Sequence, residues 1–213
     1  MNNFKSKIKH ATLWSLISQI LYILVILSTN IILTKYISPE EFGQISIIMF
    51  FVIISSVLVE GGFGGALVRK KAIGQYDYST VLVFSFLFSI ILYLLLFFFS
   101  SIIANYYDNP ELSKFIKISS IILTINSLQT ISNAKLIREM KFKEIGVSRL
   151  LSIFIASIAC VLLAYNGYGV WSFIVMQIIY SVLFALLLFA NAGWIGSVYF
   201  SINSFKKLYS FGV

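Results

Sequence analysis

Apolar residues fall in six long runs along the chain, 13–33, 45–68, 81–103, 115–134, 147–165 and 170–190, each separated from the next by a short polar stretch. A hydrocarbon core about 30 Å thick is crossed by about 20 helical residues, and a helix lets a single segment pair all of its own backbone amides there. Every run meets that length, so the pattern predicts six transmembrane helices. The third run is the clearest, interrupted by serines alone. The fourth and fifth carry Lys117 and Arg149, which this reading places near helix ends, where long basic side chains reach the interface.

Composition agrees with the pattern. Of 213 residues, 59% are hydrophobic and 11% charged, a balance that excludes an ordinary soluble surface. The 20 Phe and 12 Tyr suit helices that meet lipid and its interfaces. The lone Cys160 lies in an apolar run and cannot form an intrachain disulfide. The first run is too long for a signal peptide and lacks a small-x-small cleavage site, so it reads as an uncleaved span.

Charge adds an orientation. The net charge is +8, and thirteen of the 16 basic residues lie in four places: Lys5, Lys7 and Lys9; Arg69, Lys70 and Lys71; Lys135, Arg138, Lys141, Lys143 and Arg149; and Lys206 and Lys207. Lys35, Lys114 and Lys117 lie at the alternate ends. Cytoplasmic loops concentrate Lys and Arg, so the N-terminus and tail are expected in the cytoplasm. This accounts for the charge without a nucleic-acid partner. Ser38-Pro39-Glu40-Glu41, Asp108-Asn109-Pro110-Glu111 and Asn166-Gly167-Tyr168-Gly169 then form external turns. The expected fold is an all-α integral membrane domain over 1–190. An amphipathic segment within 191–213, strongest over 194–208, is expected to lie at the cytoplasmic interface, where lipid headgroups are its partners.

A passive anchor needs no polar side chains inside its spans. Ser15, Gln19, Tyr22, Thr29 and Asn30 nevertheless share one arc of the first helix; Asn126, Gln129, Thr130 and Asn133 share one face of the fourth; and Gln177, Tyr180, Ser181 and Asn191 share one of the sixth. Such stripes either line a hydrated cavity or hydrogen-bond helices to one another. Glu60 is the one carboxylate well inside an apolar run. It is read either as a proton or cation site, or a switchable partner for Arg69 or Arg138, or as a helix-end carboxylate reaching interfacial water. Gly61 and Gly65 have GxxxG spacing, which favours close helix contact over a hinge.

Enzymatic constellations are missing from the sequence. His10 lies among basic residues, Gly62-x-Gly64 lacks the third glycine of a dinucleotide fingerprint, and no Walker lysine or His/Cys metal set is present. Glu40-Glu41 and Asp108 with Glu111 read as solvated turn residues.

Several segments together resemble the Wzx-type polysaccharide flippases, within the superfamily that also holds multidrug and lipid-precursor exporters. They are the stretch from Leu33 through Ser38-Pro39-Glu40-Glu41-Phe42-Gly43, Glu60 through Ala66-Leu67-Val68-Arg69, Arg138-Glu139-Met140-Lys141-Phe142-Lys143, Gly167-Tyr168-Gly169-Val170-Trp171 and the stretch from Lys206 to Gly212. The resemblance implies an N-terminal lobe of six helices from a two-lobed exporter of twelve to fourteen, with a seventh helix following. It implies a bacterial inner-membrane transporter, not an enzyme, that moves polyprenyl-diphosphate-linked glycan by alternating access through a basic central cavity. Arg69, Arg138, Lys141 and Lys35 would meet the diphosphate, and Gln19, Asn30, Asn126 and Asn133 the sugar. Glu60 is the candidate for ion coupling. No cofactor is implied, while an ion gradient or the membrane potential remains open as the driving force. A scaffold that binds the polysaccharide polymerase or glycosyltransferases is the alternative, as is an inactive fragment.

Overall fold

A computed structural model describes residues 2–60, 63–70, 73–193, 199–202 and 204–205, with side chains from Thr12 onward. Lys5, Lys7, Lys9 and His10 are thus described by backbone alone, and Gly61, Gly62, Lys71, Lys206, Lys207 and most of 194–208 lie outside the described residues.

All regular structure among the described residues is helical: α1 Asn2–Leu33, α2 Pro39–Glu60, α3 Phe63–Arg69, α4 Gln75–Tyr106, α5 Pro110–Ser119, α6 Ile121–Arg138, α7 Phe142–Tyr165 and α8 Val170–Ala192. They compose six helices long and apolar enough to cross a membrane, one for each apolar run. The second comprises α2 and α3, and the fourth is not one uninterrupted rod. It is divided at Ser120, between α5 and α6, where the Ser120 amide and hydroxyl both donate to the Ile116 carbonyl, at 2.9 and 2.6 Å. A hydroxyl sharing that carbonyl competes with the helical backbone bond.

Hydrocarbon gives helices no hydrophobic reason to associate, so close packing of small residues must do it. Ser89 of α4 donates to Ser127 of α6 at 3.4 Å, and both are fully buried. A Cβ on Gly146 of α7 would lie 2.8 Å from the Ser18 Cβ, so α1 crosses α7 at a point only glycine permits. The α7 helix packs mainly on α1 and α8, and α6 on α8, α4 and α3, while α1 rests chiefly on α7.

At the end opposite the basic residues, the Ser38 amide donates to Glu41 Oε2 at 2.8 Å and the Glu41 amide to Ser38 Oγ at 3.3 Å. This is a capping box with Pro39 at the first helical position, so Ser-Pro-Glu-Glu is a helix start. The Glu41 carboxylate lies directly against Gly169, whose φ of +50° suits glycine. Two motifs far apart in sequence thus close one end of the bundle. At the basic end the chain beyond α8 returns over α3 and α4. There the Ser201 amide donates to Thr80 Oγ1 at 3.1 Å, and Phe205 packs on Phe63 and Phe84.

Candidate functional site

The polar face of the fourth span lines a cleft between α6 and the α2–α3 span. Its inner compartment, about 190 Å³, is bordered by Ser56, Glu60, Asn126, Gln129, Thr130, Asn133, Arg149 and Phe184. Its outer compartment, about 340 Å³, is bordered by Glu60, Gly64, Gly65, Arg69, Thr130, Asn133 and Ile137. Glu60, Thr130 and Asn133 border both, so the two adjoin. From Asn126 to Ile137 they follow α6 for about 16 Å, roughly half the thickness of a hydrocarbon core.

Local sequence explains why the cleft stays open. A Cβ on Gly64 would lie 3.3 Å from Thr130 Cγ2, so α3 touches α6 there, whereas nothing lies within 4 Å of a Cβ on Gly65. This corrects the expectation from GxxxG spacing. Gly64 makes the close contact and Gly65 faces open space, while Gly61 lies outside the described residues.

Within the cleft, Gln129 Nε2 donates to Asn126 Oδ1 at 3.2 Å and to the Ser181 carbonyl at 2.9 Å, which holds the amide pair in place. Asn133 Oδ1 is buried with no hydrogen-bond partner. Arg149 Nη1 donates to Gln19 Oε1 at 2.8 Å, and the guanidinium lies over the rings of Tyr22 and Phe184, 5.8 and 5.9 Å from their centres. Glu60 and Arg149 share the inner compartment without ion-pair contact.

The candidate cations are dispersed. Arg69 stands at the mouth of the cleft. Arg138 Nη1 instead donates to the carbonyls of Leu67, Val68 and Lys70 at 2.9, 3.1 and 2.6 Å, closing the C-terminus of α3. Lys141 pairs with Glu139 at 2.6 Å on the surface, and that carboxylate holds its ammonium above the usual range. Lys35 is exposed in the turn after α1, at the far end of the bundle. Lys70 pairs with Asp77 at 2.7 Å, and Lys135 donates to the last carbonyl of α8 at 2.6 Å.

The three polar stripes therefore differ. That of α6 lines the cleft. That of α8 joins helices: Asn191 donates to Ser148 Oγ at 3.2 Å and Gln177 to Met49 Sδ at 3.0 Å. On α1, Gln19 and Tyr22 reach Arg149, while Thr29 turns back to the Val25 carbonyl at 2.7 Å, and Asn30 does not border the cleft. Thr29 instead borders an apolar groove of about 500 Å³ between α1 and α7, walled by Leu21, Leu24, Val25, Ser28, Phe154, Ser157 and Ile158.

Sequence reasoning missed Arg149, which it set at a helix end. The hydropathy run starts at 147, whereas α7 starts at Phe142 and so sets Arg149 about 10 Å along the helix. No cluster of three metal-ligating residues occurs among the described residues.

Residues 32–213 match the model of a family described as polysaccharide biosynthesis protein. The chain is 24% identical over 184 residues to the succinoglycan biosynthesis transport protein ExoT of Rhizobium meliloti, covering 85% of this chain and 37% of that protein. It is 22% identical over 134 residues to the lipopolysaccharide biosynthesis protein WzxC of Escherichia coli, covering 63% of this chain and 27% of that protein. The matched part is thus about a third of the relatives' length. No solved structure matches.

Proposed function

The chain belongs to the polysaccharide biosynthesis protein family, and from that premise we propose that it forms one lobe of a flippase for polyprenyl-diphosphate-linked glycan. The polar cleft carries this reading. A charged, hydroxyl-rich headgroup entering hydrocarbon loses its water at a cost of several kcal/mol per ion. Amides and ions set inside apolar helices replace that water, while the polyprenyl tail stays in lipid. The longer relatives have chain to spare for a facing lobe, and the two lobes would expose the cleft alternately to each side of the bacterial inner membrane, with the N-terminus cytoplasmic.

Arg69 stands where a phosphate would enter, and Asn126 and Asn133 where sugar hydroxyls would follow. Arg138, which caps α3, and Lys141, which pairs with Glu139, serve cargo only indirectly. Outward movement of an anion is favoured by an inside-negative potential by about 2.3 kcal/mol per charge per 100 mV. Glu60, between the compartments, is the group through which a proton or sodium gradient would act.

The test is reconstitution of the complete protein in liposomes with a fluorescent lipid-linked glycan. Accelerated movement between leaflets is expected, and Glu60→Gln should remove any effect of an imposed gradient. Retained binding of a polymerase or glycosyltransferase with no movement would make the protein a scaffold and end the transport reading.

A further inference from the structure

We propose that Arg149 is an anion-binding residue at the inner end of the cleft, receiving an oxyanion of the cargo, from either its phosphate link or an acidic sugar. This rests on the transport reading and names one contact within it.

Three observations lead there. First, Arg149 lies about 10 Å along the apolar α7 helix, where a cation without a carboxylate in contact calls for a partner. The carboxylates in ion pairs among the described residues are Asp77 and Glu139, and both are held by other cations. Second, the guanidinium is held for use. Gln19 takes one N–H, Tyr22 and Phe184 support the group, and Arg149 borders the inner compartment. A guanidinium has five N–H donors in a planar fork, a shape that fits a carboxylate or phosphate. Third, Asn133 borders the same compartment with a buried Oδ1 that accepts no hydrogen bond. A buried acceptor left empty is costly, and a hydroxyl beside the bound oxyanion would satisfy it. An anion flanked by hydroxyls is the chemistry of a sugar phosphate or a uronic acid.

The test uses the complete protein, purified and in proteoliposomes, as wild type, Arg149→Gln and Arg149→Lys. Inorganic diphosphate, glucuronate and glucose serve as competitors in transport and as probes in direct binding. Arg149→Gln should raise the KM for cargo by about tenfold or more, the effect of losing one charge-assisted contact, with kcat changed far less. Diphosphate or glucuronate should bind and inhibit the wild type, glucose should not, and Arg149→Gln should lose the response. Inhibition by diphosphate alone identifies the phosphate link, and by glucuronate alone an acidic sugar. Unchanged KM and competitor response in Arg149→Gln would overturn the assignment while leaving transport intact. If the wild type moves no lipid, the transport reading falls, and anion binding lost in Arg149→Gln would still support the site; equal or absent binding would overturn it. Should Arg149→Gln fail to insert, Arg149→Lys decides, with weakened competitor binding expected and unchanged binding contradicting the proposal.

Discussion

The cleft along α6 and the groove between α1 and α7 are both openings in apolar helices, yet they are built from opposite materials. The groove, at about 500 Å³, is walled mainly by aliphatic and aromatic side chains, with no charged group or amide side chain among them, and lipid tails fill such a surface without direction. The cleft brings together Glu60, Asn126, Gln129, Asn133 and Arg149, each of which disfavours hydrocarbon. Volume does not separate them, since the cleft's compartments of about 190 and 340 Å³ together match the groove. The costly side chains point to the cleft, because an opening that hydrocarbon penalises needs another occupant.

The sharpest way to break this contrast is to fill each opening in turn. Gly65→Leu projects into space with nothing within 4 Å of its Cβ, so it should insert normally and reduce transport in the liposome assay to background. Ser28→Leu in the groove should leave transport unchanged, and equal losses from both would erase the distinction. Gly169→Ala, distant from both openings, should act on stability. An alanine at φ +50° that also displaces Glu41 should cost about 1–3 kcal/mol, read as a lower melting temperature in detergent with transport retained. The smallest effect belongs to Ser157, whose buried hydroxyl has no partner beside the groove. Ser157→Ala should change stability by less than about 0.5 kcal/mol, and a large loss would reveal a contact that the groove's apolar character denies.

Hydropathy alone made six spans legible, because the length of a helix in lipid is set by the bilayer. It could not show that the fourth is divided at Ser120, since the run remains apolar on both sides of that residue. The stripe on α6 was visible by its period, but whether it lines a cavity depends on what faces it. Gly65 leaves space there, whereas the α8 stripe meets Ser148 and Met49 and is consumed in contacts. The roles of the arginines were the least legible. Arg138 ends on the carbonyls of α3, a partner some 70 positions away, and Arg149 on Gln19 of α1, 130 positions away. Spacing along the chain carries no trace of either meeting.

The central claim is that the α6 cleft is wet and holds cargo. Asn133→Cys and Ser28→Cys, in the complete protein with its other cysteines replaced, can be compared using a charged, membrane-impermeant thiol reagent. The account predicts rapid labelling at position 133, slowed by lipid-linked glycan, and no labelling at position 28. A silent position 133, or labelling there that cargo leaves unchanged, would contradict it.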